Sequence, residues 1–224
     1  MFWKRAILLL PVCALAHDPI STKITWSREV SRLVFAHCAP CHREGGSSFS
    51  LMTYRQARPW AIAIKDEVLE RRMPPWGAVD GFGDFKNDEA LTETELEIIA
   101  AWAEGGAPEG DPVLLPRVPD FTKSTAVPAI PASGPELMVN GRLELKRAMQ
   151  LVAIRPAQVG VGASLQVIAR RPDGSVEPLL WLYNYQPRFP RSYVYREPVL
   201  LPSGTLLEVS PADAGTVVLI SSAR

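Results

Sequence analysis

The sequence is short of imidazole and thiol. Its 224 residues hold three histidines, His17, His37 and His42, and three cysteines, Cys13, Cys38 and Cys41. No histidine follows His42, so the back half lacks the base of a serine–histidine–acid triad and the imidazoles of a copper site. A second cysteine pair, which a structural zinc site would use, is missing too. Neither sign of charge is in excess, with 24 basic and 24 acidic residues. The balance is uneven: 10 basic and 16 acidic residues over 17–111, against 12 and 8 over 112–224. An acidic front and a mildly basic back argue against a nucleic-acid binder. They suit attraction between the halves, or a basic partner for the front. Beyond one run near the start, no segment is long and apolar enough to cross a membrane.

That run lies in MFWKRAILLLPVCALAHDP. Lys4 and Arg5 precede an apolar stretch from Ala6 to Leu15, and Ala14-Leu15-Ala16 fits a cleavage signal before His17. Residues 1–16 read as a secretory signal peptide, which places the mature chain in the periplasm or otherwise outside the cytoplasm. An uncleaved anchor is the alternative. Lipidation at Cys13 is a poorer one, because Pro11 and Val12 suit that signal badly. A cleaved chain would begin at His17, whose amine and imidazole could chelate copper, though no further ligand stands out.

The hydrophobic share is 47%, enough for a packed core. Residues 17–107 read as helical. Thr25 or Ser27 can open a first helix, with Val30, Leu33 and Val34 leading to Cys38. Pro59 suits the first turn of a second, with Trp60, Ala61, Ile64, Val68 and Leu69 as its apolar stripe. Thr92 and Glu95 form a capping-box pattern for a third, whose inner face is Leu96, Ile99 and Ala103 with Trp102 nearby and whose end is Gly105-Gly106. Residues 108–136 carry prolines without periodicity: a semi-extended linker, or an ordered arm packed across one domain. From 137 to 224 the pattern changes to strands. Asn140-Gly141 is a hairpin signal, Leu165, Val167 and Ala169 alternate with their neighbours, and Pro172-Asp173-Gly174 is a turn. Six or seven short strands predict a small antiparallel β-sandwich. The fold class expected is thus α+β in two domains.

The chemistry concentrates in HCAPCHREGG, residues 37–46. Cys38-Ala39-Pro40-Cys41-His42 is C-x-x-C-H. Two thiols at this spacing can each add across a vinyl group of one haem, with the adjoining imidazole reaching the iron. A thioredoxin-like motif would need a βαβ setting, and here a helix leads in. A short-loop disulfide is the remaining alternative. For the sixth iron position the thioethers after the signal are Met52, Met73, Met138 and Met149. Met73 stands in RRMPPW, where Pro74 and Pro75 stiffen the loop that would hold its sulfur. Met52 is the runner-up.

Taken with LMTYRQA, RRMPPW and LTETELEIIAAWAEGGAPEG, this stretch resembles a class I c-type cytochrome domain of secreted bacterial proteins over about residues 24–110. The resemblance implies one covalent haem c bound by Cys38 and Cys41, with His42 proximal and Met73 distal. Arg43, Arg71, Arg72, Tyr54, Trp60 and Trp76 could meet the haem edge or propionates, although such arginines are commonly solvated and such aromatics commonly core. The back half, over about residues 150–210, is similar to the C-terminal domain of copper type II ascorbate-dependent monooxygenases. Where that family carries an H-x-H copper pair, this chain has Ala157 and Val159. The copper site is lost, leaving a scaffold or docking module.

The expected function is extracytoplasmic electron transfer, without catalysis, to a redox partner protein met by a weak contact at the haem edge. A haem-dependent peroxidase or sensor with a labile sixth ligand is the alternative. A third reading makes the β domain the anchor to a larger complex; deleting 112–224 would then leave the haem spectrum intact.

Overall fold

The computed structural model describes residues 22–86, 88–121 and 133–222. The signal segment expected at 1–16, with Cys13 and His17, and much of the second half of the proline-rich stretch lie outside the described residues. The protein is α+β: helices in front, then two antiparallel four-stranded sheets. Among the described residues no helix is long and apolar enough to cross a membrane.

Thr25 opens the first helix. Its hydroxyl accepts from the Arg28 N–H at 3.3 Å, while its own N–H donates to Glu29 at 2.9 Å. The helix runs through Trp26–Val30, Ser31–Leu33 and Val34–Cys38. Both end stretches are wound wide: Val30 N–H reaches the Thr25 carbonyl at 3.2 Å and Ala39 N–H the Val34 carbonyl at 2.8 Å, each five residues back.

The second helical stretch starts earlier than the sequence predicts. Thr53 and Gln56 form a capping box, so winding begins at Tyr54–Ala57, tightens at Arg58–Trp60 and continues through Ala61–Leu69. Ala61 and Val68 are buried and Ile64 packs inward, but Trp60 and Leu69 are each 47% exposed. The tight turn around Pro59 has three residues per turn, which breaks the 3.6 periodicity and swings Trp60 off the inner face. The third helix, Glu93–Glu104, has the expected Thr92–Glu95 capping box and buries Leu96, Ile99, Trp102 and Ala103. Trp26, Val30, Val34, Ala61 and Trp102 share one core. Val68, Leu91, Leu96 and Ile99 form a second, which Leu33 and Met73 join.

Residues 108–121 form an arm against these helices. The Pro108 carbonyl accepts from both Trp26 N–H and Trp102 Nε1 at 3.0 Å, and the Glu109 carbonyl from Ser27 N–H at 2.8 Å. Phe121 packs on the helical core, under the Arg43 guanidinium.

The strands are β1 (Ser133–Val139), β2 (Arg142–Glu144), β3 (Met149–Val159), β4 (Leu165–Arg170), β5 (Val176–Leu182), β6 (Tyr193–Leu201), β7 (Leu206–Ser210) and β8 (Gly215–Ser222). One sheet has the order β1-β8-β3-β6, the other β2-β7-β4-β5, so the described residues hold eight strands where the sequence predicts six or seven. Leu165, Val167 and Ala169 are buried while Gln166 and Arg170 are exposed, as the alternation predicts. A single cluster draws Ile154, Tyr193 and Leu219 from the first sheet and Val167, Leu180 and Leu207 from the second. The Asn140-Gly141 hairpin is corrected. β1 pairs with β8 and β2 with β7, so the turn carries the chain from one sheet to the other. Both flanking runs find their partners late in the chain, and the turn only reverses direction.

The front half does not stop at its own core. Gly77 carbonyl accepts from Tyr183 N–H and Val79 N–H donates to the Trp181 carbonyl, both at 2.9 Å, so Ala78 pairs with Leu182 on the free edge of β5. Phe85 pairs with Tyr195 on the free edge of β6, with Lys86 N–H donating to the Val194 carbonyl at 2.7 Å. Trp76, Ala78 and Phe85 are buried in the same cluster as the strand residues. Residues 76–86 thus cap the edge of β5 at 181–183 and that of β6 at 194–196.

Burial raises the pKa of all three tyrosines of this shared core, Tyr185, Tyr193 and Tyr195, the last two furthest. Tyr195 is buried, donates to the Leu179 carbonyl at 2.7 Å, and is held by burial well above the ordinary tyrosine range. Burial likewise raises Tyr193, whose hydroxyl donates to the Trp76 carbonyl. A folded-state pKa above the unfolded one leaves stability untouched below the unfolded value of about 10 and erodes it as pH rises toward the folded one. Alkaline titration of tyrosine absorbance should therefore release these two protons only together with loss of β-sheet circular dichroism. Early, reversible ionisation of all five tyrosines in folded protein would contradict this burial.

Candidate functional site

The end of the first helix sets out the candidate ligands. The chain continues from Cys38 by a further helical turn, in which the Cys38 carbonyl accepts from Cys41 N–H at 3.1 Å and His42 N–H at 2.8 Å. Cys38 is partly buried against the helical core, Cys41 is exposed, and both thiols are free. Burial, with the nearby Cys41 adding to it, pushes the Cys38 thiol up to about 12. A thiol held protonated in this way is the opposite of the low-pKa thiolate that a redox dithiol uses.

His42 Nδ1 lies 3.0 Å from the Phe49 carbonyl oxygen, and its ring stands edge-on to the Phe49 ring at 4.9 Å. A carbonyl can only accept, so Nδ1 donates, and in the neutral ring the lone pair then sits on Nε2. A backbone acceptor behind one ring nitrogen fixes tautomer and orientation for ligation through the other. Phe49 in turn stacks on Trp60 at 4.9 Å, and the two remain 51% and 47% exposed. Exposed aromatic surface beside an oriented imidazole fits a flat apolar group.

Met73 joins the second helical cluster with Leu33, Ile64 and Ile99, while Met52 packs on the first. Ile64 belongs to both. Among the described residues no three His, Cys, Asp or Glu side chains gather to hold a metal ion.

The other candidates disperse. Tyr54 donates to the Ala107 carbonyl at 3.0 Å. Arg43 donates to the Ala39 and Pro40 carbonyls, and Arg72 pairs with Glu67 and Glu70. Arg71 lies 3.9 Å from Glu93, and Trp76 serves the β core. On β3, Ala157 is exposed and Val159 buried.

His37 adjoins the C-x-x-C-H segment, and the structure ties it to Glu95 at 3.2 Å. Burial works to raise Glu95, but hydrogen bonds from Thr92 and the His37 ring outweigh it and hold the carboxyl low. Beside them opens a cleft of about 650 Å³ lined by Asp80, Asp84, Asp88, Glu177 and Arg196. Burial, with the Asp80 and Asp84 charges, holds Asp88 above its ordinary range. Only the acidic count of the front half hinted at this basin.

No protein-family model, curated protein or solved structure matches the chain. Function therefore rests on the residues themselves.

Proposed function

We propose that this chain is an extracytoplasmic mono-haem electron carrier, exported by residues 1–16 to the periplasm or beyond. Its front half is a class I c-type cytochrome domain over 17–107, joined by the proline-rich stretch that follows to a non-catalytic β-sandwich that begins with β1 at Ser133. Cys38 and Cys41 hold one haem c by thioether bonds, His42 is proximal and Met73 distal. The observation that carries this reading is the His42 Nδ1–Phe49 carbonyl contact at 3.0 Å, which turns Nε2 of the neutral ring outward as the ligating nitrogen, beside two free thiols on one helical turn.

A haem so held supplies a one-electron ferric/ferrous couple. The chain's own residues do the rest. Phe49 orients the imidazole, and Phe49 and Trp60 offer apolar surface. The acidic basin beside His37 favours encounter with a basic redox partner through a weak, salt-sensitive contact. His37 is engaged with Glu95, which leaves the peroxidase or sensor reading without a free distal histidine among the described residues.

Expression with haem-attachment machinery in an oxidising compartment tests the proposal. The protein should be coloured, with a low-spin spectrum in both oxidation states and haem that resists acid-solvent extraction. The double variant Cys38→Ser, Cys41→Ser should lose all covalent haem. Colourless wild-type protein with Cys38 and Cys41 joined in a disulfide would end this reading.

A further inference from the structure

Met73 is bracketed by two tethers to the β sheets. Three residues before it, the Glu70 carbonyl accepts from Asn184 Nδ2 at 3.1 Å. Three residues after it, the Trp76 carbonyl accepts from the buried Tyr193 hydroxyl. The Trp76 ring also stands edge-on to the Tyr193 ring at 4.9 Å. Gly77 follows with φ +78°, and a Cβ there would lie 3.2 Å from the Tyr193 hydroxyl oxygen, so glycine permits the close approach. Between Met73 and Trp76 stand only Pro74 and Pro75, with Trp76 N–H donating to the Pro74 carbonyl at 2.7 Å. Two prolines leave little conformational slack over three residues. Upstream, Met73 N–H donates to the Glu67 carbonyl at 3.2 Å.

We infer that Tyr193 is a positioning residue for the distal ligand, and that the sheets set how firmly the Met73 sulfur is held. The inference rests on the proposed His42/Met73 ligation and extends it: the β unit acts on the electron-transfer centre as well as offering a docking surface. Tyr193 works through the Trp76 backbone, whose carbonyl accepts from its hydroxyl. A loosened hydroxyl–carbonyl contact lengthens the free segment around Met73, and thioether ligation weakens while the helical core stays folded.

Tyr195 supplies the control. It is as deeply buried, in the same cluster, and also spends its hydroxyl on a backbone carbonyl, but that carbonyl belongs to Leu179 in β5. Tyr193→Phe and Tyr195→Phe holoproteins are compared with wild type by the weak red sulfur-to-iron absorption band, midpoint potential and proteolysis of residues 71–77. Tyr193→Phe should weaken the band several-fold, lower the potential and speed cleavage, while Tyr195→Phe leaves all three near wild type. Asn184→Ala should move the same readouts in the same direction. Equal changes in Tyr193→Phe and Tyr195→Phe, or none in Tyr193→Phe, overturn the positioning role. A wild-type protein that binds haem without the band overturns the Met73 assignment itself, and the inference with it.

Discussion

Cutting the chain after Asp111 is expected to wreck the front half, not release it. The third reading from sequence predicted an intact haem spectrum after loss of 112–224. The fold predicts the opposite, because Trp76, Ala78 and Phe85 are buried among strand residues that the cut removes. Their backbone partners on β5 and β6 go as well. Exposing such a set of side chains is comparable to several large-to-small core substitutions, and Trp76→Ala alone should cost about 3–5 kcal/mol. The arm suffers too, since Phe121 leaves the helical core. The fragment should bind a hydrophobic dye, be cleaved rapidly within 74–91, and show a weakened or absent sulfur-to-iron band. A fragment 22–111 that melts cooperatively with the wild-type spectrum would show that the shared core contributes nothing to the helical part. Trp76→Ala in the full chain separates the two effects, because it removes the plug but keeps the sheets. Its denaturant midpoint should fall sharply at unchanged helix content.

Replacing Met73 by alanine should strip the proposed centre of its soft axial donor. Met/His ligation raises the potential of a c-type haem, and axial ligands command a range of about 0.8 V across proteins. The variant should lose the red band, turn partly high-spin, and fall in potential by on the order of 0.1 V or more. Haem should remain covalently attached, since Cys38, Cys41 and the oriented His42 are untouched. Stability should drop modestly: Met73 is only half-buried at the margin of the cluster around Leu91 and Ile99. Peroxide turnover distinguishes carrier from enzyme. A carrier gains it only when the sixth position opens, whereas a peroxidase already has it in the wild type. A Met73→Ala protein with unchanged potential and band would reassign the ligand, and Met52, in the other helical cluster, is then the residue to replace.

Several of these features could be read from local signals. The Thr92–Glu95 capping box, the buried face of the third helix and the alternation of β4 are short-range patterns, and they appear where the spacing puts them. The C-x-x-C-H segment and its position at a helix end are equally local. What escaped detection is long-range. Phe49 meets His42 through a backbone carbonyl, a group every residue carries, so no side-chain pattern marks it. Trp60 looked like core because the stripe was counted at helical spacing from Pro59, where the winding is the tighter three-residue turn. Trp76 looked like a haem neighbour by its place in M-P-P-W, yet its contacts are Tyr193 and Phe85, the first of them 117 positions away in sequence. A boundary drawn by composition near 108 cannot see a loop near 80 that belongs to the later core. Asn140-Gly141 shows the same limit from the other side, since turn chemistry specifies a reversal and not the strands that flank it.

The closure of β5 and β6 by residues 77–79 and 84–86 has a consequence for the nascent chain. Open strand margins are templates for unwanted association with neighbouring molecules. Here the covering segment is synthesised before either margin exists. By the time β5 and then β6 emerge, the segment that pairs with 181–183 and 194–196 is already made, and these parts of the two margins need not wait for a later stretch.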